Sequence, residues 1–341
     1  MGTDIGKEEF DECDYSRFAE RLEECLTVLA QLLKRPGFGT GPATIGAELE
    51  LFLVDGAGRP LPHNQAIRAA VADPRVTVEL DRFNLELNAS PAVLAGRPFT
   101  ALGGELNLLV DRVADAAEDH AGRPALIGIL PTLREADFGP GALTDLPRYR
   151  VLDGGLRRLR QDRFRIQIAG EHPLQLASTD VTLEGANSSF QLHLRVAPGD
   201  FTRVYNAVQL ATAPVLAVSG NSPTFLGHRL WEQTRIAVFK QSVDDRPGYG
   251  PRRGRLAPRW ERAGCAAGRW NCLPKASGCT SRCCRYLTAR ARCPAAGSRR
   301  HRWMSSGCTR APYGAGTGPS TTPPGAGICG SRCGPCPPAP P

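Results

Sequence analysis

Residues 44–55 read TIGAELELFLVD, and this stretch decides the fold. Leucines alternate along it with Glu48 and Glu50, and in an extended chain successive side chains point to opposite faces. The stretch therefore predicts a strand with one apolar face and one acidic face. Such alternation is typical of an antiparallel sheet covered on one side, whereas strands buried on both sides have continuous apolar runs.

The segments around this strand alternate between helical and extended patterns. Apolar residues at helical spacing predict helices over residues 16–35, 100–120 and 201–219, and extended patterns predict strands over residues 75–88, 125–130 and 181–196. Helices and strands occur in mixed order, which indicates an α+β domain. We expect an antiparallel sheet with helices packed on one face and an open, funnel-like opposite face.

Composition divides the chain near residue 253. Residues 254–341 contain 14 basic residues, one acidic residue and 10 of the 12 cysteines, but only five Leu, Ile, Met, Val or Phe. So few apolar residues cannot offset the entropy of ordering the chain. We therefore predict one domain over residues 1–253 and a disordered Arg/Gly/Pro/Cys-rich tail over residues 254–341. The net charge of +8 arises in this tail, so it does not indicate a specific nucleic-acid partner.

The sequence has no obvious membrane or export signal. No run approaches the roughly 20 apolar residues that span a bilayer. The first 17 residues are acidic and contain no apolar segment of the kind found in signal peptides. We expect a cytoplasmic protein that does not bind membranes.

Polar side chains continue along the acidic face of the predicted sheet. Glu79 and Glu86 lie on the second extended segment, and Gln191 and His193 share one face of a later strand. Carboxylates repel one another unless a cation neutralises them, and a hard ion such as Mg²⁺ prefers oxygen ligands. The pattern favours a site for a metal ion and a nucleotide, although a solvated sheet face would show the same alternation. The sequence contains no Walker A motif.

Seven strings of the chain, in order, resemble glutamate–cysteine ligase family 2, a family of carboxylate–amine ligases related in fold to glutamine synthetase. The strings are GAELELFLVD (46–55), ELDRFNLELNASP (79–91), IGILPTL (127–133), RYRVL (148–152), EGANSSFQLHLRV (184–196), YNAVQLATAPVLAVSGNSP (205–223) and LWEQTRIAVFKQ (230–241).

The resemblance implies an enzyme that uses ATP and Mg²⁺ to join the γ-carboxylate of glutamate to an amine. In the family, ATP phosphorylates this carboxylate, and the amine then displaces phosphate from the γ-glutamyl phosphate. The amine is usually that of cysteine, as in the synthesis of glutathione-type thiols. The expected partners are therefore the small molecules ATP, glutamate, and cysteine or another amine.

The resemblance also implies metal ligands, which are carried over by position. Glu48 and Glu50 match the paired metal carboxylates of the first strand. Glu79 and Glu86 match the second acidic pair. We expect these four residues to hold Mg²⁺ on the open face of the sheet.

Four further residues match positions around the reacting groups. His193 and Arg235 are expected to be catalytic, near the transferred phosphoryl group, and Gln191 and Asn221 to bind substrate or nucleotide. Structural interpretations stay open for each of them. Arg235 could form an ion pair, Gln191 a cross-strand hydrogen bond, and Asn221 could mark the end of a helix.

The resemblance ends near Tyr249, and nothing from Gly254 onward is similar to the family. Our hypothesis is that a frameshift near codon 250 replaced a C-terminal part that supplies a further metal carboxylate and an arginine, so we expect impaired activity. Three alternatives stay open. The chain could be a ligase for a different amine, a non-catalytic nucleotide-binding remnant, or a carrier for a redox or zinc module around CGPC (333–336).

Overall fold

The computed structural model describes residues 5–159 and 163–244, so the predicted tail lies outside the described residues. The α-helices are α1 (Glu12–Lys34), α2 (Asn64–Val71), α3 (Pro98–Glu118), α4 (Pro147–Leu159), α5 (Phe201–Val218) and α6 (Thr234–Ser242). The strands are β1 (Thr44–Asp55), β2 (Val76–Val78), β3 (Asn84–Val93), β4 (Gly122–Ala125), β5 (Phe164–Ile168), β6 (Leu174–Ser178), β7 (Phe190–Leu194), β8 (Thr224–Phe225) and β9 (His228–Arg229). None of the helices in the described ranges has the length and apolar composition needed to cross a membrane.

Strand β1 is the centre of the main sheet because it pairs with three other strands. The sheet has the order β2-β3-β1-β4, and β7 pairs with the first half of β1. All of these pairs are antiparallel. Two short hairpins, β5-β6 and β8-β9, lie outside this sheet. The predicted α+β class with an antiparallel sheet is confirmed.

Helices α2 and α3 cover one face of the main sheet. Leu51 and Leu53 of β1 pack in one core with Leu109 and Val113 of α3, and all four side chains are fully buried. Burying each of these side chains contributes about 1.5–3 kcal/mol to folding. Helices α1 and α5 contain no buried residue, so the packing of helices on one face rests on α2 and α3.

The opposite face of the sheet is covered at one end. Phe52 of β1 stacks on Phe83 with 6.3 Å between ring centroids, and side chains of β5, β6, β8 and α6 complete a second core around them. Glu48 and Glu50 lie toward the other end of β1 and are only partly buried. The open part of this face is therefore shorter than the alternating pattern of the sequence predicts.

Residues 75–93 form a hairpin where the sequence predicts one extended segment. A turn separates β2 from β3, and the Asn84 N–H closes it by donating to the Asp81 carbonyl at 2.9 Å. The sequence predicts that this extended segment ends at Asn88, but β3 continues through Ser90 and Pro91 to Val93. The pairing shifts register there and resumes at Ala92, which gives a bulge that accommodates the missing N–H of proline.

Two other strand predictions are wrong in part. Residues 182–184 form a 3₁₀ helix, because the Asp180 carboxylate accepts a hydrogen bond from the Thr182 N–H at 3.0 Å and so competes with strand pairing. The apolar run 126–130 follows β4 as a loop in which residues 128–130 are buried, whereas Leu126 is 53% exposed. The burial of Ile129 and Leu130 in the second core accounts for the apolar composition of this part.

A cluster of ion pairs connects the end of α2 to α3. The Asp73 carboxylate accepts hydrogen bonds from Arg75 and Arg112, each at 2.7 Å, and Arg75 also contacts Glu105 at 2.5 Å. The hydrogen bonds from Arg75, together with the charge of Arg112, hold the pKa of Asp73 well below its ordinary value of 3.8. Asp73 is buried, so its charge depends on these two guanidinium groups.

We predict that Asp73→Asn lowers the free energy of unfolding at pH 7 by about 1–3 kcal/mol. The pKa of Asp73 is lower in the folded chain than in the unfolded chain. Its contribution is therefore present above the ordinary pKa and is lost as the pH falls below it. Urea denaturation at neutral and acidic pH measures the difference. Asp111→Asn, on the exposed surface of α3, is the control, and an equal effect of both variants would contradict the prediction.

Asp81 is a buried carboxyl group whose pKa is shifted in the opposite direction from that of Asp73. It is fully buried, and neither of its oxygens has a hydrogen-bond partner within the described residues. Burial, and secondarily the charges of Glu184 and Asp180, raise the pKa of Asp81 well above its ordinary value of 3.8. Gly185 makes room for this group, because a Cβ atom there would lie 2.4 Å from the Asp81 Cγ.

We predict that Asp81→Asn raises the free energy of unfolding at pH 7 by about 1–3 kcal/mol, because the amide need not remain protonated to stay uncharged. The folded chain holds the Asp81 proton more tightly than the unfolded chain does. Wild-type stability therefore declines as the pH rises above the ordinary pKa, and the advantage of the variant disappears below that pKa. Denaturation curves from pH 3 to pH 8 test this trend; a pH-independent difference would show that Asp81 is not protonated.

Candidate active site

The pairing of the main sheet brings polar residues from three strands onto one face. Glu48 of β1 lies opposite Asn88 of β3 and Gln191 of β7, and Glu50 lies opposite Glu86. Directly opposed residues of antiparallel strands have neighbouring side chains on the same face. The structure therefore places Glu48, Glu50, Glu86 and Gln191 on one face, although three separate segments of the sequence contribute them.

His193 occupies the rim of this face. Its Nε2 atom lies 3.4 Å from an oxygen of Glu48, and about half of its side chain is exposed to solvent. Its partner residue in β1 is Gly46, which has no side chain that could cover the imidazole. His193 thus contacts a candidate metal ligand and is accessible to a ligand from solvent.

Hydrogen bonds orient the carboxylates at the centre of the face. Glu50 accepts from the Ser189 N–H at 2.8 Å. Glu86 is buried and accepts from the Asn88 Nδ2 at 3.0 Å and from the Thr77 hydroxyl at 3.2 Å. These bonds limit the directions in which the two carboxylates can turn.

The fourth candidate metal ligand, Glu79, lies just beyond β2, and its N–H donates to the Asn84 carbonyl at 3.4 Å. The donor set consists of carboxylate and amide oxygens, which suits a hard cation such as Mg²⁺. Within residues 5–159 and 163–244, however, no three His, Cys, Asp or Glu side chains lie in position to share a metal ion. The Mg²⁺ site remains a prediction.

A small cavity of about 40 Å³ adjoins the acidic face. It lies between β1, the segment that precedes β7, and α6, and its polar lining includes Glu50, Glu184, Asn187, Ser189 and Arg235. Sequence reasoning did not select Glu184 or Asn187. Both residues lie in the string 184–196, which resembles the family. The sequence predicts a strand over residues 181–196, whereas the structure has a turn there that brings these two residues to the cavity.

Arg235 is the second residue of α6 and lines this cavity. Its Nε donates to the Gln233 side-chain oxygen at 2.8 Å, and its Nη1 donates to the Ser188 carbonyl at 3.4 Å. The structure therefore places one guanidinium group and the Glu50 carboxylate in the same cavity. Such a cavity can bind a ligand that carries both negative and positive groups.

The two predicted binding residues lie in different environments. Gln191 is buried, and its Nε2 has no hydrogen-bond partner within the described residues, so a ligand oxygen could satisfy this donor. Asn221 is exposed, and its Oδ1 would lie 2.5 Å from a Cβ atom at Gly128. It follows the end of α5 at Val218, which agrees with the alternative interpretation as the end of a helix.

These features define an α+β protein in which an antiparallel sheet carries acidic residues on one face beside a cavity that contains an arginine. The sequence profile of glutamate–cysteine ligase family 2 matches residues 44–261, and the chain belongs to this family. The matched range continues past Tyr249, where we expected the resemblance to end.

Two relatives are similar over part of their length. A Mycolicibacterium vanbaalenii protein named glutamate–cysteine ligase 2-2 is 37% identical over 109 residues, which are 31% of this chain and 28% of the relative. A crystal structure of glutamate–cysteine ligase from Francisella tularensis in complex with AMP shares 13% identity, with a TM-score of 0.31. That comparison covers 54% of this chain and 36% of the other. The chain thus spans about a third of each relative.

We predict that Gly128→Ala displaces Asn221 and Arg235 without unfolding the protein. A Cβ atom at Gly128 would lie 2.5 Å from the Asn221 Oδ1 and 3.0 Å from the Arg235 Cδ, so both side chains have to shift. We expect the free energy of unfolding to change by about 1 kcal/mol or less, and ligand affinity to fall at least about tenfold. Calorimetric titration with ATP, beside a thermal melt, measures both effects. Gly104→Ala, where a Cβ atom would meet nothing within 4 Å, is the control.

Proposed function

We propose that the chain is an ATP-dependent ligase that joins the γ-carboxylate of glutamate to the amine of cysteine through a γ-glutamyl phosphate. This reaction makes γ-glutamylcysteine for glutathione-type thiols. Membership of the family supports the class of reaction. The observation that carries the proposal is the strand pairing that sets Glu50 opposite Glu86, with Glu48 on the same face, beside the cavity that contains Arg235.

Phosphoryl transfer to a carboxylate depends on positioning and on neutralising negative charge more than on covalent help from the protein. An acidic face alone would repel a triphosphate. In the proposed site, Glu48, Glu50, Glu79 and Glu86 would hold Mg²⁺, which supplies the positive charge when it is bound. The acidic face is therefore a reason to expect nucleotide together with metal and not nucleotide alone.

Arg235 and Gln191 have the chemistry to bind the anionic groups of the substrates. The guanidinium of Arg235 can bind a carboxylate or phosphoryl oxygen from within the cavity. The buried Gln191 Nε2 can donate to a phosphate oxygen, which would satisfy a donor that otherwise costs about 1–3 kcal/mol. We propose that these two side chains orient the acyl phosphate.

In the second half of the reaction, the amine nitrogen attacks the γ-carbonyl carbon and the bond to the phosphate oxygen breaks. The amine must lose a proton in this step, and we propose that His193 accepts it at the rim of the face. The imidazole is close to Glu48, whose carboxylate stabilises the imidazolium that forms. None of these residues selects for sulfur, so a ligase for another amine would use the same site. We also propose a cytoplasmic location, where ATP, glutamate and cysteine are available.

The test is the release of ADP by the purified full chain with ATP, Mg²⁺ and glutamate, with and without cysteine. We expect release that requires both amino acids. Glu48→Gln should lower the rate by about 10²–10³-fold, because it removes charge where the metal and the phosphates meet. Glu118→Gln, at the exposed end of α3, is the matched control and should leave the rate unchanged.

The other outcomes distinguish the alternatives. Release that requires glutamate but not cysteine indicates a different amine. Binding of ATP without release indicates a non-catalytic nucleotide-binding remnant and contradicts the proposed activity. Absence of both binding and release contradicts the proposed site. A bound-zinc assay tests the separate hypothesis about the tail cysteines.

A further inference from the structure

Residues 182–189 pass between the second core and the cavity beside the acidic face. Leu183 and Ala186 of this segment are buried in that core. Glu184 and Asn187 each directly follow one of these two residues, and both line the cavity. The packing of the core therefore determines where these two polar side chains lie.

The side-chain amide of Asn187 is held by its nitrogen atom. Its Nδ2 donates to the Leu183 carbonyl at 3.2 Å and to the Glu184 carbonyl at 2.9 Å. The opposite orientation of the amide would bring Oδ1 against these carbonyl oxygens, so the two hydrogen bonds fix the orientation. The Oδ1 atom is buried and has no hydrogen-bond partner within residues 5–159 and 163–244. Because buried polar atoms are nearly always hydrogen-bonded, this oxygen requires a donor from outside the protein.

The charge and the volume of the cavity restrict the group that supplies this donor. Glu50 and Glu184 contribute two carboxyl groups to the lining and Arg235 contributes one guanidinium, so the lining has a formal excess of negative charge. Such surroundings favour a positively charged donor. The volume of about 40 Å³ exceeds the roughly 10–15 Å³ that one water molecule needs, but it is too small for a nucleotide. The cavity therefore suits a small cationic head group such as a primary ammonium.

Two substrates of the proposed ligase carry an amino group: glutamate and the acceptor amine. The acceptor has to lose a proton when it attacks the acyl phosphate. Nearby carboxylates favour the protonated form of an amine, so the cavity would hold the acceptor in its unreactive form. The α-ammonium group of glutamate takes no part in the reaction and stays protonated. The cavity is therefore suited to glutamate and not to the attacking amine.

We propose that Asn187 and Glu184 are specificity-determining residues that bind the α-ammonium group of glutamate in this cavity. The ammonium donates one hydrogen bond to the Asn187 Oδ1, and the Glu184 side chain compensates its charge. This assignment rests on the proposed function, because it takes glutamate as the substrate whose carboxylate is phosphorylated. It adds the reason why glutamate is selected over a dicarboxylate that has no amino group.

The test is the binding of glutamate and of glutarate to the full chain, measured by calorimetric titration with Mg²⁺ present and ATP absent. Glutarate has both carboxylates of glutamate but no amino group. We expect the wild-type chain to bind glutamate at least about tenfold more tightly than glutarate. Glu184→Gln and Asn187→Leu should each lower the affinity for glutamate at least about tenfold and change the affinity for glutarate less than about twofold.

Both variants have matched controls on the exposed surface of α3. Glu118→Gln and Asn107→Leu make the same chemical changes outside the cavity, and neither should alter the affinity for either ligand. A thermal melt of each variant shows whether the fold is intact, because the Asn187 Nδ2 also holds the turn. If Asn187→Leu fails to fold, the test relies on Glu184→Gln, which preserves the size of the side chain.

Four results would overturn the inference. Equal affinity of the wild-type chain for glutamate and glutarate, or no binding of glutamate, would show that the ammonium is not recognised. A parallel loss of both ligands in the variants would show a structural role only. Glutamate binding that neither variant changes would leave water as the partner of the Asn187 Oδ1. Variants that lose affinity for cysteine but not for glutamate would place the acceptor amine in the cavity.

The release of ADP separates this inference from the proposed function. Release with glutamate and cysteine, together with variants that keep the preference for glutamate over glutarate, contradicts only the assignment of the cavity. A preference for glutamate that depends on Glu184 and Asn187, without any release of ADP, contradicts only the ligase activity.

Discussion

The antiparallel pairing of β1 with β3 is the constraint on which the rest of the structure depends. Leu51 and Leu53 of β1 are buried under α3, and Glu48 and Glu50 lie on the other face. A slip of one residue would turn these carboxylates into the apolar core and the leucines toward solvent. Burying an unpaired carboxylate costs far more than a leucine gains, so the core that stabilises the sheet also positions the candidate site.

The two buried aspartates of this domain show how the surroundings of a carboxyl group change its pKa. Asp73 is buried beside two arginines and stays ionised, whereas Asp81 is buried without a partner and its pKa is raised. Glu50 and Glu86 of the acidic face accept hydrogen bonds that orient them; Glu86 is buried, and Glu50 is only partly buried. A cation that binds together with a nucleotide could neutralise the negative charge of this face. The functional proposal therefore rests on the residues of the site and not on the fold.

Much of the fold could be predicted because its patterns are local. The alternation over residues 44–55 predicts β1 with its observed ends, and the helical spacing around Leu109 predicts α3 to within two residues at each end. The failures occur where a side chain or a neighbouring element overrides the pattern. Asp180 starts a 3₁₀ turn in place of a strand, and the bulge at Ser90 and Pro91 lets β3 continue through a proline.

The sequence by itself determined the class of fold, the acidic strand face and, through seven strings, the family. It determined these because alternation, helical spacing and short motifs are properties of neighbouring residues. Only the tertiary structure decided which distant residues share a cavity. Glu50 and Arg235 lie 185 positions apart and meet because the second core packs α6 against the segment before β7. It also decided that, among the described strands, β7 pairs only with β1, because the neighbours of a strand depend on how the whole sheet is assembled.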